Sequence, residues 1–142
     1  MSWAGKKSFK DCFKSLFPQR EQALSSLSLS ARELREAQRA VDRWVKEKAY
    51  RLPDRSLTAV SRRMGIRSIL LHRYCLQQTG MDFRSWRNRL RIEDAKLLLL
   101  QDQNSSASHI GCMVGFSDRS NFLRQFQRVT SLTPEQWRRQ NA

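Results

Sequence analysis

The chain has 142 residues, with 27 Lys and Arg against 13 Asp and Glu, a formal net charge of +14 and an isoelectric point near 11.0. That length holds one compact domain or two very small ones, and the charge selects a polyanionic partner, meaning nucleic acid or an anionic membrane surface. Hydrophobic residues at 39% and aromatics at 9% are too many for a disordered basic tail, and five Gly with three Pro are too few for an all-β sandwich.

The longest aliphatic run, Leu97 to Leu100, is far below the ~20 residues that cross a bilayer, and Lys6, Lys7 and Lys10 are followed by no apolar signal-peptide core. Cys12, Cys75 and Cys112 are far apart and odd in number, which argues against a disulfide framework and for a reducing, cytoplasmic setting. Only His72 and His109 are at hand to join them, so no metal site is expected, and no cofactor pattern is present.

In chain order, residues 1–30 stand apart. Phe9, Phe13 and Phe17 repeat at i, i+4, i+8, while Lys6, Lys7, Lys10 and Lys14 stay off that stripe. Pro18 ends the segment, and a polar, Ser-rich stretch to Ser30 reads as a linker. This leader reads as a mobile segment or a remnant of an upstream region, or else as a basic amphipathic element for a membrane or partner. Residues 31–142 form the second unit. A charged helix is expected from Ala31 to Tyr50, with Leu34, Ala37, Val41, Trp44, Val45 and Ala49 inward and Ser30 and Glu33 forming a capping box. Ser56 to Met64 reads as a short helix, Gly65-Ile66 as a tight turn, and Arg67 to Gln78 as a helix stopped at Thr79-Gly80. Asp82 caps a long helix to about Gln101, with Phe83, Trp86, Leu90, Ala95, Leu97 and Leu98 inward. After a polar loop, Ser108 to Val114 is a short helix, Gly115-Phe116 a turn and Arg119 to Val129 a helix. Thr133-Pro134-Glu135-Gln136 then opens a last helix through Trp137 with a capping box and Pro at its first position.

The two halves repeat. Gly65 and Gly115 each follow an apolar residue, have a small residue four positions earlier (Ser61 or Gly111), and precede an inward Leu71 or Phe122 with an Arg two residues on (Arg73 or Arg124). Helix, Gly turn, helix is the helix-turn-helix pattern, whose second helix exposes one face to the ~12 Å wide major groove. The fold expected is all-α, about seven helices, with helix-turn-helix units at 56–79 and 108–129 joined by the linker helix 82–101. At 1.5 Å per residue that helix spans ~30 Å, against about 34–36 Å between successive major-groove faces, so one chain can place two reading helices on one side of a duplex.

The stretch Gly115-Phe116-Ser117-Asp118-Arg119-Ser120-Asn121-Phe122, with Phe126 and Thr133-Pro134-Glu135-Gln136-Trp137-Arg138, resembles the C-terminal signature of AraC/XylS-type transcriptional regulators. Leu90 to Leu98 is similar to that family's linker helix. The resemblance spans roughly Ala31 to Arg139 and implies two subdomains binding double-stranded DNA in adjacent major grooves. It also implies RNA polymerase as a protein partner and, in a longer parent protein, an upstream sensor or membrane segment, so that the parent is membrane-anchored in some relatives. Four residues depart from the family pattern: Arg67 in place of a Ser or Asn cap, Cys75 for a core aromatic, Gly111 for Ala and Ser131 for Gly.

In the first reading helix, spacing turns Leu71, Tyr74 and Cys75 inward and leaves Ile69, His72 and Arg73 outward, where the resemblance places base contacts. Ile69 suits a thymine methyl group, Arg73 suits guanine N7 and O6 or a phosphate, and His72 is either a DNA contact or a solvated side chain. In the second, Arg119, Ser120, Leu123 and Arg124 are outward, with both arginines as base readers and Asn121 beside a phosphate. Arg62, Arg63, Arg87, Arg89, Arg128, Arg138 and Arg139 read as solvated-face charges, some of them neutralising phosphates, and Asp118 as a cap. Glu93 and Asp94 lack a His or second carboxylate at useful spacing, so no enzyme is expected. Two other functions compete with a sequence-specific regulator: an alkyl-accepting repair enzyme using Cys12, and a non-specific binder of nucleic acid or membrane surfaces. The first lacks partner ligands for its cysteine; the second leaves the repeated Gly turns and the outward Ile69 and Leu123 without a role.

Overall fold

The structure is a computed structural model that describes residues 28–142. The leader read in the sequence lies outside the described residues, apart from its last three. Among the described residues the elements are all helical: α1 (Ala31–Lys46), α2 (Leu57–Met64), α3 (Ser68–Thr79), α4 (Phe83–Gln101), α5 (Ala107–Met113), α6 (Arg119–Thr130) and α7 (Pro134–Asn141), with a 3-10 turn at Ala49–Arg51. None of these helices is long and apolar enough to cross a membrane.

Local chemistry sets the helix starts. Ser30, Ser56, Asp82, Ser106, Asp118 and Thr133 each accept a hydrogen bond from a first-turn N–H, and the capping boxes at Ser30–Glu33 and Thr133–Gln136 are both closed. Because Ser106 is the cap, α5 begins at Ala107, one residue before the position the sequence suggested. Gly65 and Gly80 end α2 and α3 at φ +76° and +69°, a region open to glycine at no steric cost. At the first helix the expected span to Tyr50 is too long. α1 ends at Lys46, Lys48 turns left-handed at φ 54°, and the 3-10 turn that follows buries Ala49 and Tyr50.

Among the described residues there are two cores. The first gathers Ala37, Val41 and Trp44 of α1, Tyr50, Val60, Leu70, Leu71, Tyr74 and Cys75, and Phe83, Trp86 and Leu90 from the front of α4. Trp44 stacks on Trp86 with ring centroids 5.6 Å apart. The second gathers Ile92, Ala95 and Leu99 from the back of α4 with Ile110, Val114, Phe116, Phe122 and Phe126, and Trp137 packs on its edge. α4 therefore changes its buried face between Leu90 and Ile92. That shift corrects the expected inward set: Leu99 is fully buried, Leu98 is half-buried at the second core, and Leu97 is half-buried outside it.

Candidate nucleic-acid interface

α3 and α6 are the second helices of the two turn motifs, and each is fixed by its inward side chains. In α3, Leu70, Leu71, Tyr74 and Cys75 are buried, and Tyr74 Oη donates to Gln38 Oε1 of α1 at 2.8 Å. In α6, Phe122 and Phe126 are fully buried and edge-packed at 5.7 Å. Gly111 lets the second unit close, since a Cβ there would lie 2.6 Å from the Phe122 ring.

What remains outward follows from that packing. On α3, Ile69 is 47% exposed, the highest value among the exposed large apolar side chains, and His72 and Arg73 are half-buried. On α6, Arg119, Ser120 and Arg124 are exposed, whereas Leu123 is half-buried against the second core and so packs as well as presents. Arg124 Nη2 donates to Asn121 Oδ1 at 3.3 Å, which orients the guanidinium along the helix. The seven residues singled out in the sequence thus fall into two groups, one on each second helix, Ile69, His72 and Arg73 on α3 and Arg119, Ser120, Leu123 and Arg124 on α6.

The two motifs are electrostatically unlike. Residues 56–79 carry Arg62, Arg63, Arg67 and Arg73 and no acidic residue, whereas residues 107–130 carry Arg119, Arg124 and Arg128 with Asp118. Asp118 caps α6, as expected, by accepting from Ser120 N at 3.0 Å. Arg67 opens α3 without a side-chain cap and instead reaches Glu33 of α1 at 3.6 Å. The Glu33 carboxyl is held below its ordinary range, first by the Ser30 hydrogen bonds and then by the positive charges of Arg67 and Arg73.

Several arginines read as solvated are structural. Arg87 is 8% exposed and donates through Nη1 to the Asp54 carbonyl; Arg138 donates to the carbonyls of Leu99, Asp102 and Ser105, closing the end of α4. Arg63 stays exposed, as expected, while pairing with Asp54 at 2.6 Å. Arg91 and Asp94 are buried too, at 7% and 5% exposed, which the sequence reading did not anticipate. A signal was present: Phe83, Arg87, Leu90 and Asp94 recur at i, i+4, i+7, i+11 and share one stripe of α4. Burial pushes the Cys75 thiol up, away from the thiolate that an alkyl acceptor needs, and Cys12 lies outside the described residues.

Residues 60–140 match a family described as a helix-turn-helix domain. Over 70 residues the chain is 39% identical to the HTH-type transcriptional activator RhaS of Pectobacterium carotovorum, a match covering 49% of this chain and 25% of that protein. It is 40% identical over 62 residues to the arabinose operon regulatory protein of Salmonella typhimurium, covering 44% of this chain and 21% of that one. A solved transcriptional regulator with an AraC-type DNA-binding domain, from Chromobacterium violaceum, superposes with a TM-score of 0.65 and 25% identity over 80% of this chain and 97% of that chain. The chain belongs to the AraC-type helix-turn-helix family, the DNA-binding domains of transcriptional regulators rather than a family of enzymes. It spans between about a fifth and a third of the length of the curated relatives it matches.

Proposed function

We propose that this chain regulates transcription in the cytoplasm by binding two short boxes on one face of double-stranded DNA, α3 reading one major groove and α6 the next. The observation that carries this reading is the duplicated motif on a single rigid helix: two reading helices, each with its apolar side locked in its own core, at opposite ends of the 19-residue α4. A helix of 19 residues is ~28 Å long, near the distance between successive major-groove faces. Ile69, His72 and Arg73 are the base-edge residues of the first box, and Arg119, Ser120, Leu123 and Arg124 those of the second. Arg119 and Arg124 suit guanine, Ile69 and Leu123 suit thymine methyl groups, and the remaining exposed arginines at the motif margins suit phosphates. A relative named as a transcriptional activator supports contact with RNA polymerase as the output.

Selection of bound duplexes from a random 30-base-pair pool, at about 150 mM salt to suppress purely electrostatic binding, tests this. The expected result is two boxes centred ~10 base pairs apart. Arg124→Ala then relaxes one box by about 1–3 kcal/mol at a single position and leaves the other intact. A pool without any motif, together with binding that fades steeply with salt, overturns the reading in favour of a non-specific polyanion binder.

A further inference from the structure

The two turn glycines are equivalent in the repeat and unlike in their surroundings. A Cβ on Gly65 would meet nothing within 4 Å, so that glycine serves its turn alone. A Cβ on Gly115, at φ +111°, would lie 2.7 Å from the Arg51 carbonyl oxygen and 2.8 Å from Arg91 Nε. The turn of the second unit is therefore seated directly on the 3-10 turn of the first.

The seat is held by buried polar groups of α4. Arg91 Nε donates to the Tyr50 carbonyl at 2.6 Å and Nη2 to that of Leu52 at 3.1 Å, while its guanidinium lies 5.7 Å from the centre of the Phe116 ring. One residue thus grips the first unit through its edge and the second through its face. Three residues on, Asp94 accepts from Tyr50 Oη at 3.0 Å and from Arg51 at 2.6 and 2.8 Å, with Lys48 Nζ at 3.8 Å. Between two separate cores, this direct contact adds to the helix itself in fixing how one unit sits on the other.

We propose that Gly115, Arg91 and Asp94 are positioning residues that determine spacing specificity: they lock the two reading helices in one separation and rotation, and so set which distance between DNA boxes the protein accepts. This rests on the two-box reading. One base pair more or less between the boxes moves the second by about 3.4 Å and turns it by about 35°, which a locked pair of heads cannot follow.

The test uses the whole chain with duplexes carrying the selected boxes at the preferred spacing, at one and two base pairs either side of it, and with one box alone. Wild type is expected to lose about tenfold or more in affinity for a one-base-pair change, since a rigid, preorganised pair engages only one geometry. Gly115→Ala is expected to bind the single box within about twofold of wild type and to shrink the spacing penalty to about threefold or less, because loosened heads adapt. Gly65→Ala, also at a positive φ but without the seat, keeps the full penalty. Asp94→Asn gives a second reading of the lock should Gly115→Ala fail to show native helical circular dichroism. A folded Gly115→Ala or Asp94→Asn with the wild-type penalty overturns the proposal. A wild type indifferent to spacing overturns the two-box reading itself.

Discussion

Single residues set local strain and packing in this chain. Ser131 ends α6 at φ 63°, a left-handed conformation that costs a side-chain-bearing residue about 1 kcal/mol and glycine almost nothing. Ser131→Gly is expected to raise stability by about 0.5–1 kcal/mol, read as a higher urea midpoint at unchanged slope. Gly111 is the reverse case. Alanine there gains up to about 1 kcal/mol of helix propensity but drives a methyl group to 2.6 Å from Phe122, a fully buried ring. Overpacking of that kind costs about 1–3 kcal/mol, so Gly111→Ala is expected to lower the melting temperature.

Among the elements, α7 has only eight residues, started by a closed capping box and Pro at its first turn, and its contribution is out of proportion to that length. Its Trp137 edge packs on Phe126 at 6.3 Å and its Arg138 takes three carbonyls at the end of α4. Both depend on the Thr133–Gln136 box that starts the helix. Thr133→Ala is expected to cost about 1 kcal/mol, measured by chemical denaturation, with the loss falling on the second unit.

The helices themselves were legible in the sequence because caps and glycines are local: Ser30, Ser56, Asp82, Asp118 and Thr133 each act within three residues. The exposure of Ile69, Arg119, Ser120 and Arg124 was legible for the same reason, through periodicity, whereas the packing of Leu123 on the second core was not. What was not legible acts at a distance. Arg87, Arg91 and Arg138 look like surface charges until backbone carbonyls 33 to 41 residues away are folded against them. A single apolar stripe along α4 brings Leu97 inward and leaves Leu99 out, whereas two cores pull on the helix from different sides and bury Leu99.

At the scale of the molecule the balance of charge governs behaviour in acid. The carboxyls of Glu33, Asp54 and Asp102 are held below the ordinary range, chiefly by hydrogen bonds from Ser30, Arg63 and Ser105 respectively. A lowered value in the folded state means a stabilisation fully present above the unfolded value near 4 and lost as pH falls through the folded one. Protonating the 13 Asp and Glu also leaves 27 Lys and Arg unopposed, which adds repulsion in the same direction. The urea midpoint is therefore expected to be flat from about pH 7 to 5 and to drop below about pH 4.

The switch of buried face along α4 bears on how such a protein is able to diversify. One residue inserted between Leu90 and Ile92 swings everything beyond it by about 100° and advances it by 1.5 Å, carrying the second core along with its stripe and tearing the Gly115 turn from its seat on Arg51. Seven inserted residues restore the facing to within about 20° but carry the second head ~10 Å further, roughly a third of a turn of the duplex. The period of the protein helix and the period of DNA share no small common step. Side chains on the reading faces are free to change one at a time, and the vocabulary of boxes with them, while the ruler between the boxes stays the same length.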